Sequence, residues 1–422
     1  MLPDQYDIVI VGTSPTNTYL SYVAAAHGKS VLVLDPTNTY GSWSSTHSLS
    51  TLQTRLDDCS LEGKLFHNFR LHTSNLPEDF AMRKTMVDLI PLLHPTNSTS
   101  ISYITASGLT PYMAFQNPGE LGVLVDDVVT RVPLTKSDVF REKSLGPRQK
   151  RQLVKYIQSA CQSDDITDDV IDCSDLPHSA NIALTHLLPY LCPFSAFFQG
   201  LGKFGVSSGI LINKFGSSEI SQANSRLCCV FGGIYLLNSK VLNIDKSDKC
   251  LEIESEFSDV PGVIKYDWLI NDLVSDPEKS LSVNSLIGRM IVISKEKLPM
   301  NFVCLFFKEK PVYLLQYTFE NSANISKDSY LIYIWAHFSL DEYLDEYLDE
   351  VFEYLKNYNF IKPIYVVSYR QNVFENLVDY EEDANILNIV DVPEIPTFDV
   401  SFDLAQKSMT FIDSTIEMPF QR

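Results

Sequence analysis

"YDIVIVGTSPTNTYLSYVAAAHGKSVLVLD", residues 6 to 35, decides the fold of this chain. YDIVIVG (6 to 12) is a compact apolar run that stops at Gly12, the residues up to about 28 have helical spacing, and KSVLVLD (29 to 35) is a second apolar run that stops at Asp35. Strand, helix and strand at these lengths predict a βαβ unit. Parallel strands joined by a helix cross over right-handed and are covered on both faces, which accounts for two strands made almost wholly of Val, Ile and Leu.

The turn between the first strand and the helix is where a dinucleotide would bind. A G-x-G-x-x-G fingerprint uses its first Gly for the tight turn, its second for close approach of pyrophosphate, and its third for helix–strand packing. Here those positions hold Gly12, Ser14 and Asn17. A side chain at Ser14 fills space that pyrophosphate would use, Asn17 is expected to keep the helix off the strand, and Pro15 removes one N–H from the helix start. Asp35 stands where an acid would accept ribose hydroxyls, and no later Gly-Asp segment suited to a flavin is evident. The expectation is therefore a Rossmann-type sheet with no working cofactor site.

Outward from this unit, strand-like runs return in the second half, among them CLEIESEF, YDWLIND, GRMIVIS, VYLLQYTF and PIYVVSY. Between the two sheet-rich parts, from SDVFREKSLGPRQKRQLVKYIQSAC (137 to 161), the period changes to helical and stays so to about 208. This predicts an α/β chain whose sheet domain, 1–137 and 209–422, is interrupted by an all-helical domain at 138–208. Residues 176 to 202 carry no charged side chain, but prolines at 189 and 193 and scattered polar residues predict broken, buried helices instead of a bilayer span. The repeat LDEYLDEYLDEVFEYL (340 to 355) sets Leu344, Leu348, Leu355 and Val351 or Phe352 on one face, an acidic amphipathic helix expected to lie on the sheet.

Composition narrows the function. A net charge of −20 in 422 residues excludes general affinity for nucleic acid or anionic membrane, whose phosphates need clustered Lys and Arg, and suits a partner with a basic tail. MLPDQYD does not read as a secretory signal, so a cytoplasmic protein is expected. Eight cysteines form no C-x-x-C pair and eight histidines no H-x-H or H-E-x-x-H cluster, a pattern of reduced core cysteines with neither zinc site nor disulfide framework.

At VLDPTNTYGSW (33 to 43) the chain resembles the superfamily of Rab escort proteins and Rab GDP-dissociation inhibitors. FFQGLGKFGVSSGILINKFGSSEISQANSRLCCVFGGIYLLN (197 to 238) resembles that family's long central block, with Glu219, Gln222, Arg226, Phe231, Gly232, Gly233 and Tyr235 in place. MVDLIP, SGLTPYMAFQ and VSFDLAQKSMTFI (400 to 412) resemble further segments in the right order. Ser14 and the single Gly41 depart from the family, as do Ser218 and Ser221. The resemblance implies an FAD-monooxygenase-like sheet domain with a smaller helical domain inserted, no cofactor and no metal, and a non-catalytic role in binding GDP-bound Rab GTPases.

Trp43, Asp138-Val139-Phe140 followed by Gln149-Lys150-Arg151, and CCVFGGIYLL favour the escort branch, which presents Rab to the Rab geranylgeranyltransferase heterodimer, shields the geranylgeranyl lipid and delivers Rab to membranes in transient contacts. The resemblance carries Rab contacts to Tyr40, Glu219, Gln222 and Arg226, a transferase contact to Phe197, and the lipid to the helices of 138–208. Read without the family, Glu219 and Arg226 are seven apart and would simply pair on one helix face, and Phe197 would be core. A dissociation inhibitor that recycles prenylated Rab, a flavin or NAD oxidoreductase, and a structural protein that has lost Rab binding stay open as alternatives.

Overall fold

The computed structural model describes residues 3–162, 176–191, 193–205, 208–257, 262–274, 276, 279–320, 322, 325 and 327–416. β1 (Gln5–Val11), α1 (Pro15–Ala26) and β2 (Val31–Leu34) form the βαβ unit, the two strands parallel and in register from Ile8↔Val31 to Val11↔Leu34. The sheet grows by parallel neighbours on both sides. Ile234–Leu236 pairs with β2, Val263–Asp272 pairs with β1, and Ile386–Val390 pairs with Val263–Asp272. The polar hairpin of Ser239–Asp245 and Cys250–Ser255 extends this layer beside Val263–Asp272.

α1 is buried on every side, between the helices Glu219–Val230 and Asp399–Ile412. Its polar side chains are satisfied at short range: Thr18 donates to Ser14 O, Ser21 to Thr18 O, and the Tyr22 hydroxyl to Ser107 O. Buried hydroxyls with such partners cost little, so a helix polar in sequence can still be central.

A second, mixed sheet carries, in spatial order, Phe66–Ser74, Pro363–Phe374, Val283–Ser294, Tyr330–Phe338, Lys310–Tyr317, Phe302–Phe307, Leu121–Val125 and Val128–Arg131. The alternation of Val283–Ser294 divides its faces: Ile287, Ile291 and Ile293 join the central core, while Met290 and Val292 join a core beneath the helix Leu344–Asn357. That helix buries Leu344, Leu348, Val351, Phe352 and Leu355 on the sheet, as its repeat predicts. It starts at Leu344 because the first LDEY is used as a turn, in which Glu342 accepts the Ser339 N–H and pairs with Lys310. Gly288 lets the helix come close, since a Cβ there would lie 2.7 Å from Leu348 and 2.9 Å from Leu344.

Between Val128–Arg131 and the strand Ile210–Asn213 the described residues are helical: Lys136–Arg141, Pro147–Gln162, then residues 178–191, then Phe194–Gly200. One proline breaks the helix and the other does not. Pro193 starts a new helix, but Pro189 is absorbed by a π-turn over Ala183–Leu187, where Leu188 donates to Ala183 O five residues back. Leu184, Leu187, Leu188 and Leu191 are buried, and no helix among the described residues is long and apolar enough to cross a membrane. Cys173 and Cys192 fall outside the described residues.

Candidate functional site

The turn after β1 is closed from within. Gly12 has φ +93°, and its N–H donates to Leu34 O at 2.7 Å, tying the turn to β2. A Cβ on Gly12 would come within 3.1 Å of Asp272, so the glycine is required by conformation and by space. Ser14 caps α1, its Oγ accepting the Asn17 N–H at 3.3 Å. Asn17 does not hold the helix away from the strand, as its size alone suggests. Its Nδ2 donates to Val11 O at 3.0 Å and ties the helix start to the end of β1.

The groups that would receive a dinucleotide are already engaged. Asp35 accepts from Thr13 Oγ1 at 2.6 Å on one oxygen and from the Thr37 N–H and Oγ1 at 2.8 and 2.7 Å on the other. At the helix start, where a phosphate would sit, the Asp391 carboxylate accepts the Thr16 N–H at 3.3 Å and the Trp43 Nε1–H at 3.1 Å. Burial pushes Asp35 and Asp391 upward, while their hydroxyl and N–H partners favour the ionised form. Asp35, Asp272 and Asp391 stand at the same end of one parallel sheet, the strands of Asp35 and Asp272 on either side of β1 and the strand of Asp391 next to that of Asp272. A pyrophosphate at this turn would meet the carboxylates of Asp391 and Asp272 in place of free N–H groups, and these residues do not fit a dinucleotide.

The opposite behaviour appears on Glu219–Val230. Gln222, Arg226, Cys229 and Val230 are exposed at helical spacing, i, i+4, i+7 and i+8, and Val230 is 65% exposed. Arg226 lies over the ring of Tyr112, its guanidinium carbon 4.9 Å from the centroid, and Tyr112 is itself 37% exposed. At the other end, half-buried Tyr40 packs toward Tyr235 with ring centroids 5.8 Å apart, and Tyr235 meets Ser21 of α1 at 2.6 Å. Burial raises the Tyr40 phenol, and the nearby Cys229 and Asp35 add to the effect. Tyr40, Gln222 and Arg226 therefore flank one exposed helix face.

Glu219 does not join them. It is 9% exposed and turned inward, accepting the Ala114 and Phe215 N–H groups at 3.2 Å each and Asn213 Nδ2 at 3.3 Å. The helix-face pair of Glu219 with Arg226 is thus absent: one anchors the loop before the helix, and the other stacks on Tyr112. Phe197 is fully buried, edge-on to Phe198 at 5.5 Å and against the backbone at Gly209, in the core and not at a contact surface. Among the described residues of the helical region Phe140 and Phe204 are exposed, at 63% and 64%, and Phe204, with φ +54°, is the one close to Phe197 in sequence.

Sequence reasoning missed Tyr112, Asp272 and Asp391. Tyr112 gives no local sign, because its role depends on Arg226 from a distant helix. The two acids do: WLIND and ILNIVD end in Asp as VLVLD does, three apolar runs whose strands are parallel members of one sheet.

Comparison with known proteins agrees with the resemblance read in the sequence. The model of the family described as GDP dissociation inhibitor matches residues 2–180. A Drosophila melanogaster protein named Rab proteins geranylgeranyltransferase component A is 24% identical over 280 residues, 58% of this chain and 55% of that protein. Its Saccharomyces cerevisiae namesake is 23% identical over 278 residues, 58% and 45%. Homo sapiens component A 2 is 26% identical over 242 residues, 51% and 36%. The chain thus covers about half or less of these relatives' length. A Rab GDI of Plasmodium falciparum shares the fold across 99% of this chain and 100% of its own, with a TM-score of 0.73 at 17% identity. An oxidoreductase of Methanosarcina mazei follows the same fold more distantly, with a TM-score of 0.55 at 10% identity over 96% of this chain and 99% of its own.

Proposed function

We propose that this chain binds Rab GTPases in their GDP-bound form and works as an escort in their prenylation, a non-catalytic role. The observation that carries the reading is the pairing of a self-filled nucleotide turn with an exposed helix face bearing Gln222, Arg226 and Val230 between Tyr112 and Tyr40. Arg226 and the tyrosines are residue types that dominate interface energies, and the fixed guanidinium fork suits carboxylates and backbone carbonyls of a partner. Glu219 supports this face from beneath through the loop at Phe215. The relatives named as transferase component A point to the escort branch.

The helices between residues 136 and 205 would hold the prenyl group and meet the transferase. The cleft between Val128–Arg131 and these helices offers only about 20 Å³, too little for an isoprenoid unless the helices separate. Each CH₂ then buried contributes about 0.8 kcal/mol. Phe204 is the aromatic we assign to transferase contact, in place of buried Phe197.

The test is prenylation of an unmodified Rab by the catalytic transferase subunits with and without this chain. Stimulation is expected, and its absence overturns the escort role. The whole-chain likeness to a Rab GDI favours a second reading, a dissociation inhibitor. That reading predicts extraction of already prenylated Rab from vesicles without any stimulation of the transferase.

A further inference from the structure

A cavity of about 200 Å³ lies beyond the end of β2, bounded by the segment from Asp35 to His47 on one side and by Leu61–Phe66 with Val274 on the other. Its wall is apolar at Leu61, Leu65, Leu89 and Val274, and it contains three basic side chains, His47, Arg55 and Lys64. Such a lining is unusual for this molecule. With 53 acidic and 33 basic side chains, cations here readily find carboxylates, as Arg70, Arg131, Arg370, Lys246, Lys308 and Lys310 do.

Arg55 is the exception that lines a cavity. Its Nε and Nη2 donate to Ser60 at 3.4 and 3.1 Å, its remaining N–H groups have no recorded acceptor, and no carboxylate lies within ion-pair distance among the described residues. Asp58 is the acid that acts on it, through space, and partial burial disfavours its charge. Lys64 is steadied by the carbonyls of Leu273 and Asp276, with Asp272 and Asp276 nearby. His47 is buried, with Nε2 against Ser45 at 2.9 Å and Nδ1 without a partner. At the far end Asp35 is held by donors from Thr13 and Thr37.

We propose that this cavity is a binding site for a small organic anion, a phosphate- or carboxylate-headed molecule whose head is held by Arg55 and Lys64 and whose compact apolar body rests on Leu61, Leu65, Leu89 and Val274. A half-buried guanidinium with free donors gains most from an anion that supplies bidentate oxygens, and the hydrophobic wall selects a ligand with more than a bare ion to offer. The site is separate from the exposed face of Glu219–Val230 and does not rest on Rab binding.

Calorimetric titration of the full chain with phenyl phosphate, inorganic phosphate and phenol tests this. Phenyl phosphate should bind more tightly than inorganic phosphate, and phenol should not bind. Arg55→Met should weaken phenyl phosphate by about tenfold or more. Val274→Phe, which keeps every charge and fills the cavity, should weaken it as much. Equal binding of phenol and phenyl phosphate, binding within about twofold of the parent in either variant, or no binding up to about 10 mM would each overturn the proposal.

Discussion

Asp391 replaces a ligand's charge with the protein's own, and its removal has a defined effect. It serves two buried donors, the Thr16 N–H and the Trp43 indole N–H, so Asp391→Ala leaves both unsatisfied and should lower unfolding free energy by about 3 kcal/mol in urea titration. Asp391→Asn should recover only part, because its amide offers one acceptor and one donor to two donors. His47 and His94 act at the same scale through pH. Burial pushes each down to about 4, aided at His47 by Arg55 and opposed at His94 by Asn213. Each would protonate near 6.5 when unfolded, so the stability from keeping them neutral is complete above that pH and is lost between about 6.5 and 4, at about 1.4 kcal/mol per pH unit per histidine. Buried Asp88, pushed up to about 6, works oppositely and gains stability as pH falls from about 6 toward 4. Asp35 and Asp391, which burial also raises, act in the same direction as Asp88, so the histidine share is read by difference: the change in urea midpoint from pH 7 to pH 5 should be less unfavourable in His94→Gln than in the parent. At Phe197 and Phe204, alanine should separate packing from contact. Phe197→Ala should cost about 3–5 kcal/mol of stability, whereas Phe204→Ala should leave stability within about 0.5 kcal/mol and reduce transferase stimulation.

Elements explain which parts of this molecule could be read in advance. The strands of the βαβ unit and the acidic helix on the sheet follow from periodicity, because each buries one continuous apolar pattern, whereas the helix Asp399–Ile412 was legible through the resemblance of VSFDLAQKSMTFI. Helix Glu219–Val230 was recognisable as an element but not as a surface. Which of Glu219 and Arg226 faces solvent is set by Phe215 in the loop before the helix and by Ala114, which arrives from elsewhere in the chain. The passage of a helix through Pro189 was hidden for a similar reason, since a π-turn depends on neighbours that reward an extra residue per turn. On the exposed face, Arg226→Ala should weaken GDP-loaded Rab binding by about 2 kcal/mol in a pull-down or calorimetric titration while leaving the urea midpoint unchanged. Beneath the acidic helix, Leu348→Ala opens space over Gly288 and should destabilise by about 2–5 kcal/mol.

At the scale of the whole molecule, the net charge of −20 acts at a distance. A basic Rab tail approaching this surface should associate more slowly as salt rises, because the Debye length shrinks from about 10 Å at 0.1 M to about 3 Å at 1 M. Stopped-flow association rates that do not change with salt would remove steering from the account. Charge and composition were legible from the start, but the convergence of Asp35, Asp272 and Asp391 on one sheet edge needed strands far apart in the chain to be neighbours. The bond from Thr16 to Asp391 spans 375 residues, and that from Thr16 to Ser401 spans 385. The helix Pro15–Ala26 must therefore wait, with its first N–H, that of Thr16, uncapped, until residue 391 has emerged. Loop closure over such separations is slow, and an unfinished sheet is prone to wrong partners. A chain arrested before residue 386 should remain chaperone-dependent although it already contains the whole βαβ unit: the fold around β1 and α1 is completed only by segments made 375 to 385 residues later.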